Sequence, residues 1–408
     1  MPATGLRRIR VGLLGLGTVG QAVAQAAAQS ARDGVAVSIA CALVRDVAKR
    51  RRAPGVARIT DNAEAFLRGR YDVVIDALAG REPAATIAAR VLGRGVPVVS
   101  ANKAMLAADG PRLRRVAART GASLRVEAAV MAGVPFLGGL ERRPLAGSAA
   151  RFAGVLNGTS HFALTRMADG LSLDAAIAEA QARGFAEPDP AADVSGADAR
   201  DKLVVLAAVL LDAAIAPRDV AVDGIADLTP ADLRAAACLG GVIKPVAFAS
   251  RGPRALAAFA GPAWLPARHP LAGISGVDNA IVIEGRHIPR LLFAGPGAGA
   301  GVTAATLIDD AVEAVEGQRA LCGAGREAPP CRLEAPRTGW FARVSCQGRA
   351  RDVAAGLGGP TTQRTGDRDQ AWLLVPPAEG DGIASHAAAL ESQAAAVRLW
   401  RALDVPAR

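Results

Sequence analysis

The stretch IRVGLLGLGTVG, residues 9–20, decides the fold of this chain. Its apolar part ends in glycine and runs directly into the helix-forming segment VGQAVAQAAAQSA. The glycines have the G-x-G-x-x-G spacing between a strand and a helix. Such glycines allow a tight turn and a close approach of the backbone to a pyrophosphate, which the positive helix N-terminus attracts. We therefore predict a dinucleotide-binding turn whose cofactor contacts are Gly15, Leu16, Gly17, Thr18, Val19 and Gly20.

The rest of the first third alternates apolar and helix-forming segments. The apolar segments after the glycine turn are VAVSIACALV, YDVVIDALAG, VPVVSAN and ASLRVEAAV. Together with the first strand they make five apolar strands with helices between them. This pattern predicts a buried parallel sheet and an α/β fold of the doubly wound, Rossmann type.

After Ala132 the pattern changes to an α+β arrangement. RFAGVLNGTSHFALTRM predicts a strand, a turn and a helix. SLDAAIAEAQARG predicts a helix with Ser172 as N-cap and Gly184 as C-terminal stop. DARDKLVVLAAVLLDAA predicts another helix, and GPGAGAGVTAATLIDDAVEAV predicts a glycine turn that opens a helix. The predicted strands of this part are VIKPVAFAS, NAIVIEG and RLLFAG.

The C-terminal part follows a linker that contains proline and glycine, GAGREAPPCRLEAPRTG. Its pattern predicts the order strand WFARVSC, helix ARDVAAGLG, strand AWLLVPP and helix ASHAAALESQAAAVRLWRAL. We predict three domains. Residues 1–132 with about 300–325 bind the nucleotide, residues 133–299 form an α+β catalytic and dimerisation domain, and residues 336–408 form a C-terminal module.

The composition is that of a globular protein, with 51% hydrophobic and 21% charged residues among 408. Every apolar run is shorter than the roughly eighteen residues that a membrane helix needs. The five cysteines are scattered and form no CxxC pair, which argues against disulfides or structural zinc. The net charge is +10, but only 3% of the residues are aromatic and no nucleic-acid-binding motif is present. We expect a cytoplasmic protein that binds neither membranes nor nucleic acid.

The end of the second predicted strand bears on the choice of cofactor. Arg45 and Asp46 stand there, followed by KRRR at residues 49–52. An aspartate at this place favours NAD, whereas an arginine favours the extra phosphate of NADP. Since the chain is rich in surface arginine, NAD stays possible, but we favour NADP with Arg45 at its phosphate.

Two further segments follow strand ends, where the ligand crevice of such a sheet lies. SANK places Lys103 after the fourth strand, where its amine either contacts cofactor or substrate or only caps the strand. VEAAVMAGVP places Glu127 among small residues after the fifth strand. An oxygen-lined turn of this kind is suited to a hard monovalent or divalent cation.

The segment EPDPAADVSGADARDK, residues 187–202, holds five carboxylates and ends in lysine. Asp198 and Lys202 are four residues apart at the start of a helix, so their side chains share one face. Taken alone, this spacing is that of a helix N-terminal acid with an ordinary ion pair. Glu187 and Asp193 precede the helix in a proline-containing loop. Acids held so close repel one another unless they bind something cationic, such as an amino group.

Eight motifs in this order resemble the homoserine dehydrogenase family over about the first 320 residues. They are GLGTVG, SANK, EAAVMAGVP, NGTSHF, EPDPAADVSGADARDK, IKPVAFA, HPLAGISGVDNA and GPGAG. The resemblance implies reversible interconversion of L-homoserine and L-aspartate 4-semialdehyde with NAD(P)(H), on the route to threonine and methionine. It also implies a homodimer or homotetramer.

The resemblance assigns roles to individual residues. Thr159, Glu187 and Asp193 would contact the amino acid, and Asp198 and Lys202 would engage its reacting oxygen. A partly desolvated lysine coupled to acids is suited to carry the proton that accompanies hydride transfer. Lys103 would lie near cofactor and substrate, and Gly299 near the cofactor. The backbone that would bind a monovalent cation, Na⁺ or K⁺, is that of Glu127, Val130, Ala132 and Val134.

The chain departs from the family pattern in three places. Met131 replaces a common glycine beside the cation turn, and His161 replaces a frequent asparagine after NGT. The tail resembles a degenerate ACT module, but SCQGRARD stands where a D-x-P-G ligand turn is expected, which argues against threonine feedback through it. The alternatives are a dehydrogenase of a related amino-acid semialdehyde and a non-catalytic protein that binds nucleotide and amino acid as a sensor.

Overall fold

A parallel sheet forms the first part of the structure. The computed structural model describes residues 8–30, 36–143, 145, 147–316, 331–357, 362–377 and 396–405. The six strands have the order β3-β2-β1-β4-β5-β6, and every pair is parallel. The predicted doubly wound sheet is confirmed, and the two-residue β3 is an addition to it. The strands are β1 Arg8–Leu14, β2 Ala36–Leu43, β3 Ile59–Thr60, β4 Val73–Asp76, β5 Val98–Ser100 and β6 Leu124–Arg125.

Helices connect these strands. They are α1 Thr18–Gln29, α2 Ala63–Leu67, α3 Ala84–Leu92 and α4 Lys103–Thr120. The predicted strand ASLRVEAAV is shorter than expected, because its second half is the one-turn helix α5. Two short helices follow β6, namely α5 Glu127–Val130 and α6 Phe136–Glu141.

A mixed sheet forms the second part. Its strands β7 Ala149–Val155, β8 Ala221–Val222, β9 Gly241–Arg251, β10 Leu256–Pro266, β11 Asp278–Gly285 and β12 Leu291–Pro296 include all those predicted between Ala132 and Pro296. Ser172 caps α8 by accepting a hydrogen bond from the Ala175 amide, and Gly184 has φ +73° just beyond its end, as predicted. The helices are α7 Gly158–Ala168, α8 Leu173–Ala182, α9 Ala191–Val194, α10 Ala197–Leu210 and α11 Pro230–Cys238.

The chain returns to the first sheet through α12, Ala300–Val315. Its buried face, which includes Leu307 and Ile308, packs with α1 and with strands of the parallel sheet. At the crossing between the two parts, the backbone amides of Ala132 and Gly133 donate to the carbonyl oxygens of Gly297 and Pro296, at 3.2 and 3.0 Å. The domain boundaries remain a prediction, and residues 317–325 lie outside the described part of the chain.

The C-terminal strands extend the mixed sheet. β17 pairs in parallel with β10, and β14, β16 and β15 follow outward. The predicted final helix is wrong for residues 396–402, which form a strand with alternating burial along β14; residues 384–395 are outside the described chain. The ACT-like character of the tail remains a prediction. The elements are β13 Leu333–Glu334, β14 Gly339–Ser345, α13 Ala350–Ala355, β15 Gln363–Gly366, β16 Gln370–Val375 and β17 Ala396–Ala402.

Two further observations concern the described residues as a whole. None of their helices is both long enough and apolar enough to cross a membrane. The four cysteines within the described ranges, Cys41, Cys238, Cys331 and Cys346, are free thiols.

Candidate active site

The glycine turn between β1 and α1 has the shape that a dinucleotide requires. Gly15 has φ +91°, and a Cβ there would lie 2.9 Å from the carbonyl oxygen of Ala77. A Cβ at Gly20 would collide with the carbonyl oxygen of Gly15, so a side chain there would push the helix away from the turn. Nothing lies within 4 Å of a Cβ at Gly17, which leaves this side of the turn open. The three glycines therefore fit a tight turn, a close helix–strand contact and an open face for a pyrophosphate.

The basic segment beyond β2 is at the surface. Arg45 is exposed two residues after the end of the strand. Asp46 turns towards its own chain, because its carboxylate accepts the Ala48 amide at 2.8 Å. Arg51 donates to the carbonyl oxygen of Asp46 at 2.7 Å. Arg45 is thus exposed where the adenosine ribose of a bound dinucleotide lies in such folds.

A hydrogen-bond chain behind Lys103 fixes the start of α4. Asp76 accepts the Ser100 hydroxyl at 2.9 Å, and the Ser100 oxygen accepts the Asn102 amide at 3.0 Å. Asn102 caps α4 by accepting the Met105 amide at 3.1 Å and donates to the carbonyl oxygen of Gly80 at 2.7 Å. Complete burial raises the pKa of Asp76 to about 6. The start of α4, with Lys103 as its first residue, is therefore fixed by Ser100 and Asn102 of the SANK motif and by two groups outside the motif, Asp76 and the Gly80 carbonyl.

Lys103, Asp198 and Lys202 form one cluster. The Lys103 ammonium pairs with one carboxylate oxygen of Asp198, and the Lys202 ammonium lies 3.0 Å from the other. α4 and α10 pack against each other, so one carboxylate joins a lysine of the first sheet to a lysine of the second part. The side chains of Asp198 and Lys202 are only 9% and 8% exposed, whereas that of Lys103 is 41% exposed. Asp198 does lie in the first turn of α10 and pairs with Lys202, as the spacing alone predicts, but the pair is buried and shared with Lys103.

The pKa values in this cluster diverge. Burial lowers the pKa of Lys202, against the attraction of Asp198. Partial burial favours the neutral amine of Lys103, but the attraction of Asp198 outweighs it and raises the pKa of Lys103. Burial alone would raise the pKa of Asp198, but the two ammonium groups outweigh it and lower that pKa. Divergent pKa values among neighbours are typical of sites that transfer protons.

The turn between β7 and α7 completes the cluster. The Leu156 carbonyl oxygen accepts the Lys202 ammonium at 2.5 Å and the Asn279 amide group at 2.9 Å. The Asn157 side-chain nitrogen donates to Asp193 at 2.6 Å and to Asp198 at 2.9 Å. The sequence analysis missed Leu156, Asn157 and Asn279. An asparagine at the N-cap position of NGTSHF was an available signal for Asn157.

The other predicted substrate contacts lie around this turn. Thr159 is buried in α7, and its hydroxyl donates to the carbonyl oxygen of Phe185 at 3.0 Å. Glu187 follows two residues later and is exposed, whereas Asp193 is half-buried beside Asn157. The structure thus brings Asp193, Asp198, Lys202 and Lys103 into one cluster, with Thr159 and Glu187 on the adjoining segments.

His161 is buried and faces a loop. Its Nδ1 lies 3.0 Å from the carbonyl oxygen of Asp278, and its Nε2 lies 3.1 Å from that of Ile274 and 3.2 Å from the Lys244 ammonium. Burial, assisted by the charge of Lys244, lowers the pKa of His161 to about 4. The ring is therefore neutral near pH 7 and ties α7 to the segment before β11.

The predicted cation turn is compact, and several of its polar groups have protein partners. The Glu127 carboxylate accepts the amides of Leu137 and Gly138 at 2.7 and 3.2 Å, and burial raises its pKa to about 7. The carbonyl oxygen of Ala132 accepts the Thr306 hydroxyl, and Met131 is fully buried. Within the described ranges, no three or more histidine, cysteine or acidic side chains are grouped to hold a metal ion. Carbonyl oxygens have two lone pairs, so those of Glu127, Val130, Ala132 and Val134 remain the candidate ligands.

Gly299, the last predicted cofactor contact, precedes α12. It has φ +130° and is exposed, and it occupies the N-cap position of that helix. Since α12 packs against α1, the helix that follows Gly299 is part of the nucleotide-binding part. A dinucleotide turn beside a buried lysine–carboxylate cluster defines an NAD(P)-dependent oxidoreductase.

Comparisons with known proteins agree with this class and narrow it. A family model described as "Homoserine dehydrogenase" matches residues 135–312, and one described as "Homoserine dehydrogenase, NAD binding domain" matches residues 15–127. The homoserine dehydrogenase of Mycobacterium leprae is 36% identical over 319 residues, 76% of this chain and 72% of the relative. The chain belongs to the homoserine dehydrogenase family.

Solved structures extend the likeness to almost the whole chain. The structure of a homoserine dehydrogenase from Thiobacillus denitrificans has a TM-score of 0.87 at 27% identity, covering 98% of this chain and 99% of that chain. A hyperthermophilic archaeal homoserine dehydrogenase in complex with NADPH has a TM-score of 0.65 at 27% identity, covering 77% of this chain and 99% of that one. The predictions of the family, of the Rossmann-type fold and of a nucleotide-dependent oxidoreductase are confirmed.

Proposed function

We propose that the protein reversibly oxidises L-homoserine to L-aspartate 4-semialdehyde, in the synthesis of threonine and methionine, with NADP as the preferred cofactor. The observation that carries the proposal is the buried Asp198 carboxylate, which joins Lys103 from α4 of the nucleotide-binding part to Lys202 from α10. An active site of this kind must bring cofactor and substrate together at the junction of the two parts, and this cluster lies there.

The two lysines have different roles. The nicotinamide cofactor, when bound, accepts or returns the hydride. Lys202 takes the hydroxyl proton of homoserine or returns it to the aldehyde oxygen, because burial lowers the pKa of its amine towards the working pH. Lys103 stays cationic, because Asp198 raises its pKa, and stabilises negative charge on the reacting oxygen.

The acids before α10 bind the other end of the substrate. The carboxylates of Asp193 and Asp198 both accept hydrogen bonds from the Asn157 side-chain nitrogen, so the two acids lie close together. Asp193 can therefore pair with the substrate ammonium near the reacting oxygen. Glu187 is exposed and free to turn towards the same ammonium. Thr159, buried at the start of α7, lines the same region.

The proposal also covers the cofactor phosphate, a bound monovalent cation, the oligomeric state and the cellular compartment. We assign the NADP phosphate to the exposed Arg45. A monovalent cation, Na⁺ or K⁺, would take backbone oxygens of Glu127, Val130, Ala132 and Val134 and brace the crossing between the two parts. We further propose a homodimer or homotetramer that works in the cytoplasm.

The test is steady-state oxidation of L-homoserine with NAD and NADP in parallel, with and without threonine. We expect turnover with both cofactors and a lower KM for NADP. Arg45→Ala should raise the KM for NADP about tenfold and leave that for NAD nearly unchanged, because it removes a charge-assisted contact worth about 1.5 kcal/mol. Arg268→Ala, at an exposed arginine beyond β10, is the control. Binding of the nucleotide without turnover of homoserine would favour a non-catalytic sensor. Turnover of another semialdehyde alone would favour a dehydrogenase of a related amino acid. Faster turnover with NAD than with NADP would refute the role of Arg45.

A further inference from the structure

The Asn157 side chain has a hydrogen-bond partner for every donor and acceptor it owns. Its oxygen accepts the Ser160 amide at 2.8 Å and the Ser160 hydroxyl at 2.9 Å. Its nitrogen donates to Asp193 at 2.6 Å and to Asp198 at 2.9 Å. A side-chain amide has two donor hydrogens and two acceptor lone pairs, so the group is saturated. The residue is 4% exposed.

The orientation of this amide follows from the chain and not from a choice of atom names. The Ser160 backbone N–H can only donate, so the atom that faces it must be the oxygen. The nitrogen is consequently directed at the two carboxylates. Because Asn157 is the N-cap of α7, the helix itself fixes which edge of the amide faces the active site.

The same turn also holds the lysine of the site. The carbonyl oxygen of Leu156, the preceding residue, accepts the Lys202 ammonium at 2.5 Å. Consecutive residues of one turn thus anchor both members of the Asp198–Lys202 pair and also Asp193. These contacts come from a strand end and a helix start, which are rigid elements.

Asp193 and Asp198 contact a single nitrogen, so their carboxylates are close together and repel each other. A cation between them would neutralise them but would also change the proton affinity of Lys202. A neutral amide relieves the repulsion with two hydrogen bonds and adds no charge. Serine would keep the helix cap but lose the amide nitrogen that donates to both carboxylates, and aspartate would keep the cap and add a third negative charge.

We propose that Asn157 is a positioning residue. Its neutral amide fixes Asp193, which pairs with the substrate ammonium, relative to Asp198, which lies at the reacting oxygen. This inference rests on the proposed function, because it takes the roles of both acids from it. It adds a residue to the site that binds no substrate itself but sets the distance between the two ends of the substrate.

The test compares Asn157→Ser, Asn157→Asp and the parent protein in homoserine oxidation, with Asn62→Ser as control. Asn62 is the N-cap of α2 and accepts the Ala65 amide at 2.9 Å, so the control makes the same change at a cap outside the cluster. We expect Asn157→Ser to lower kcat about 10- to 100-fold, since small misplacements of reacting groups have effects of this size. The KM for homoserine should rise and the KM for NADP should stay within about twofold. Thermal stability should fall more than in Asn62→Ser, because the repulsion between the two carboxylates is no longer relieved.

The pH profile separates positioning from a merely structural role. The rate of oxidation should rise with pH as Lys202 loses its proton, which gives the rising limb of the pH profile. The third carboxylate in Asn157→Asp should move this rising limb to higher pH, because a nearby negative charge raises the pKa of the amine. Asn157→Ser should leave the rising limb near that of the parent protein. The inference on Asn157 is overturned if Asn157→Ser turns over like the parent, or if the rising limb of Asn157→Asp does not move. In both cases the proposed function stands as long as the parent protein oxidises homoserine. An inactive parent overturns the proposed function and the inference with it.

Discussion

Lys103 and Lys202 share one carboxylate, yet their pKa values move in opposite directions. Burial is the largest cause of the difference, because the Lys202 side chain is 8% exposed and that of Lys103 is 41% exposed, and the charge of Lys103 lowers the pKa of Lys202 further. The carboxylate therefore compensates for desolvation only partly at Lys202 and fully at Lys103. In the proposed function, this asymmetry separates Lys202, as the proton carrier, from Lys103, as a fixed cation.

Removal of the shared charge tests this asymmetry. Asp198 raises the pKa of Lys202 against the larger effect of burial, so Asp198→Asn should lower that pKa further. The amine would then be neutral at lower pH, and the rising limb of kcat/KM for homoserine oxidation should move to lower pH, with a kcat about 10- to 100-fold smaller. The measurement is the pH profile from about pH 6 to 11, a range that brackets lowered and ordinary lysine pKa values.

Asp189→Asn is the matched control for this change. Asp189 lies in the same acidic stretch but is exposed, and it accepts the Ala191 amide at 3.1 Å, which an asparagine can also do. Its pH profile should equal that of the parent. A limb that moves upward or stays in place in Asp198→Asn would contradict the assignment of Lys202 as the group that titrates.

The sequence pattern pointed to the charged residues of the candidate site and to Thr159, but not to Asn157, Leu156 or Asn279. The resemblance singled out Asp193, Asp198 and Lys202 because their types and order are distinctive. Asn157 and Leu156 escaped notice because a cap asparagine and a backbone carbonyl are common in any fold. Their importance depends on contacts with residues 36–46 positions away, which spacing cannot reveal.

At the scale of elements, the glycine turn was predictable because it is local. The spacing, strand and helix are contiguous in sequence, and the structure gives a steric reason for Gly15 and for Gly20. β10 was missed for the opposite reason: its eleven residues are buried on both faces and include glycine and proline, so the alternation that marks a strand is absent. β17 was mistaken for a helix because the alanine-rich segment before it favours helix, whereas pairing with β14 decides its structure.

The turn offers a matched pair of variants that separates folding from cofactor binding. In Gly20→Ala the new Cβ collides with the Gly15 carbonyl oxygen, so we expect a loss of about 1–3 kcal/mol in the free energy of unfolding. In Gly17→Ala the Cβ meets nothing within 4 Å, and φ of −76° suits alanine, so stability should be unchanged. Its Cβ would stand where a pyrophosphate approaches, so affinity for NADP should fall at least about tenfold.

Thermal unfolding and titration with NADP measure both effects. Each variant serves as the control for the other, because the two changes are identical and three residues apart. Unchanged NADP affinity in Gly17→Ala would contradict the placement of the cofactor at this turn.

At the scale of the whole molecule, the tail is joined to the second part by a buried polar contact. Asp232 of α11 is fully buried and accepts Arg343 from β14 and Trp372 from β16, both at 2.7 Å. Around it, one hydrophobic cluster includes Leu164 of α7 and Trp400 of β17. The tail therefore shares both a sheet and a core with the part that carries Asn157 and Thr159.

This shared core predicts one cooperative unfolding transition for the second part and the tail. Asp232→Ala leaves the guanidinium of Arg343, which is 14% exposed, without its carboxylate, so we expect a loss of about 3–5 kcal/mol in the free energy of unfolding. Asp227→Ala, whose side chain is 60% exposed and pairs with Arg398 at 3.7 Å, should change stability little. Denaturant unfolding followed by tryptophan fluorescence measures both, and an early separate transition of the tail would contradict the shared core.

The shared sheet also explains why the attachment of the tail to the second part was harder to predict than the order of strands and helices within it. The strand–helix order of the tail was readable, but its attachment depends on β10 and β17 pairing across more than 130 residues of chain. The return of α12 to α1 is a similarly distant contact. Local patterns carry no information on such pairings.

The central claim is that Lys202 carries the proton in the oxidation of homoserine, and kcat of Lys202→Ala relative to the parent measures it most directly. We predict that kcat decreases at least about 10²-fold, because the variant removes the amine that carries the proton. NADP binding should be retained, because the glycine turn lies in the nucleotide-binding part and not in α10. Near-normal turnover in Lys202→Ala, with the parent active, would contradict the account.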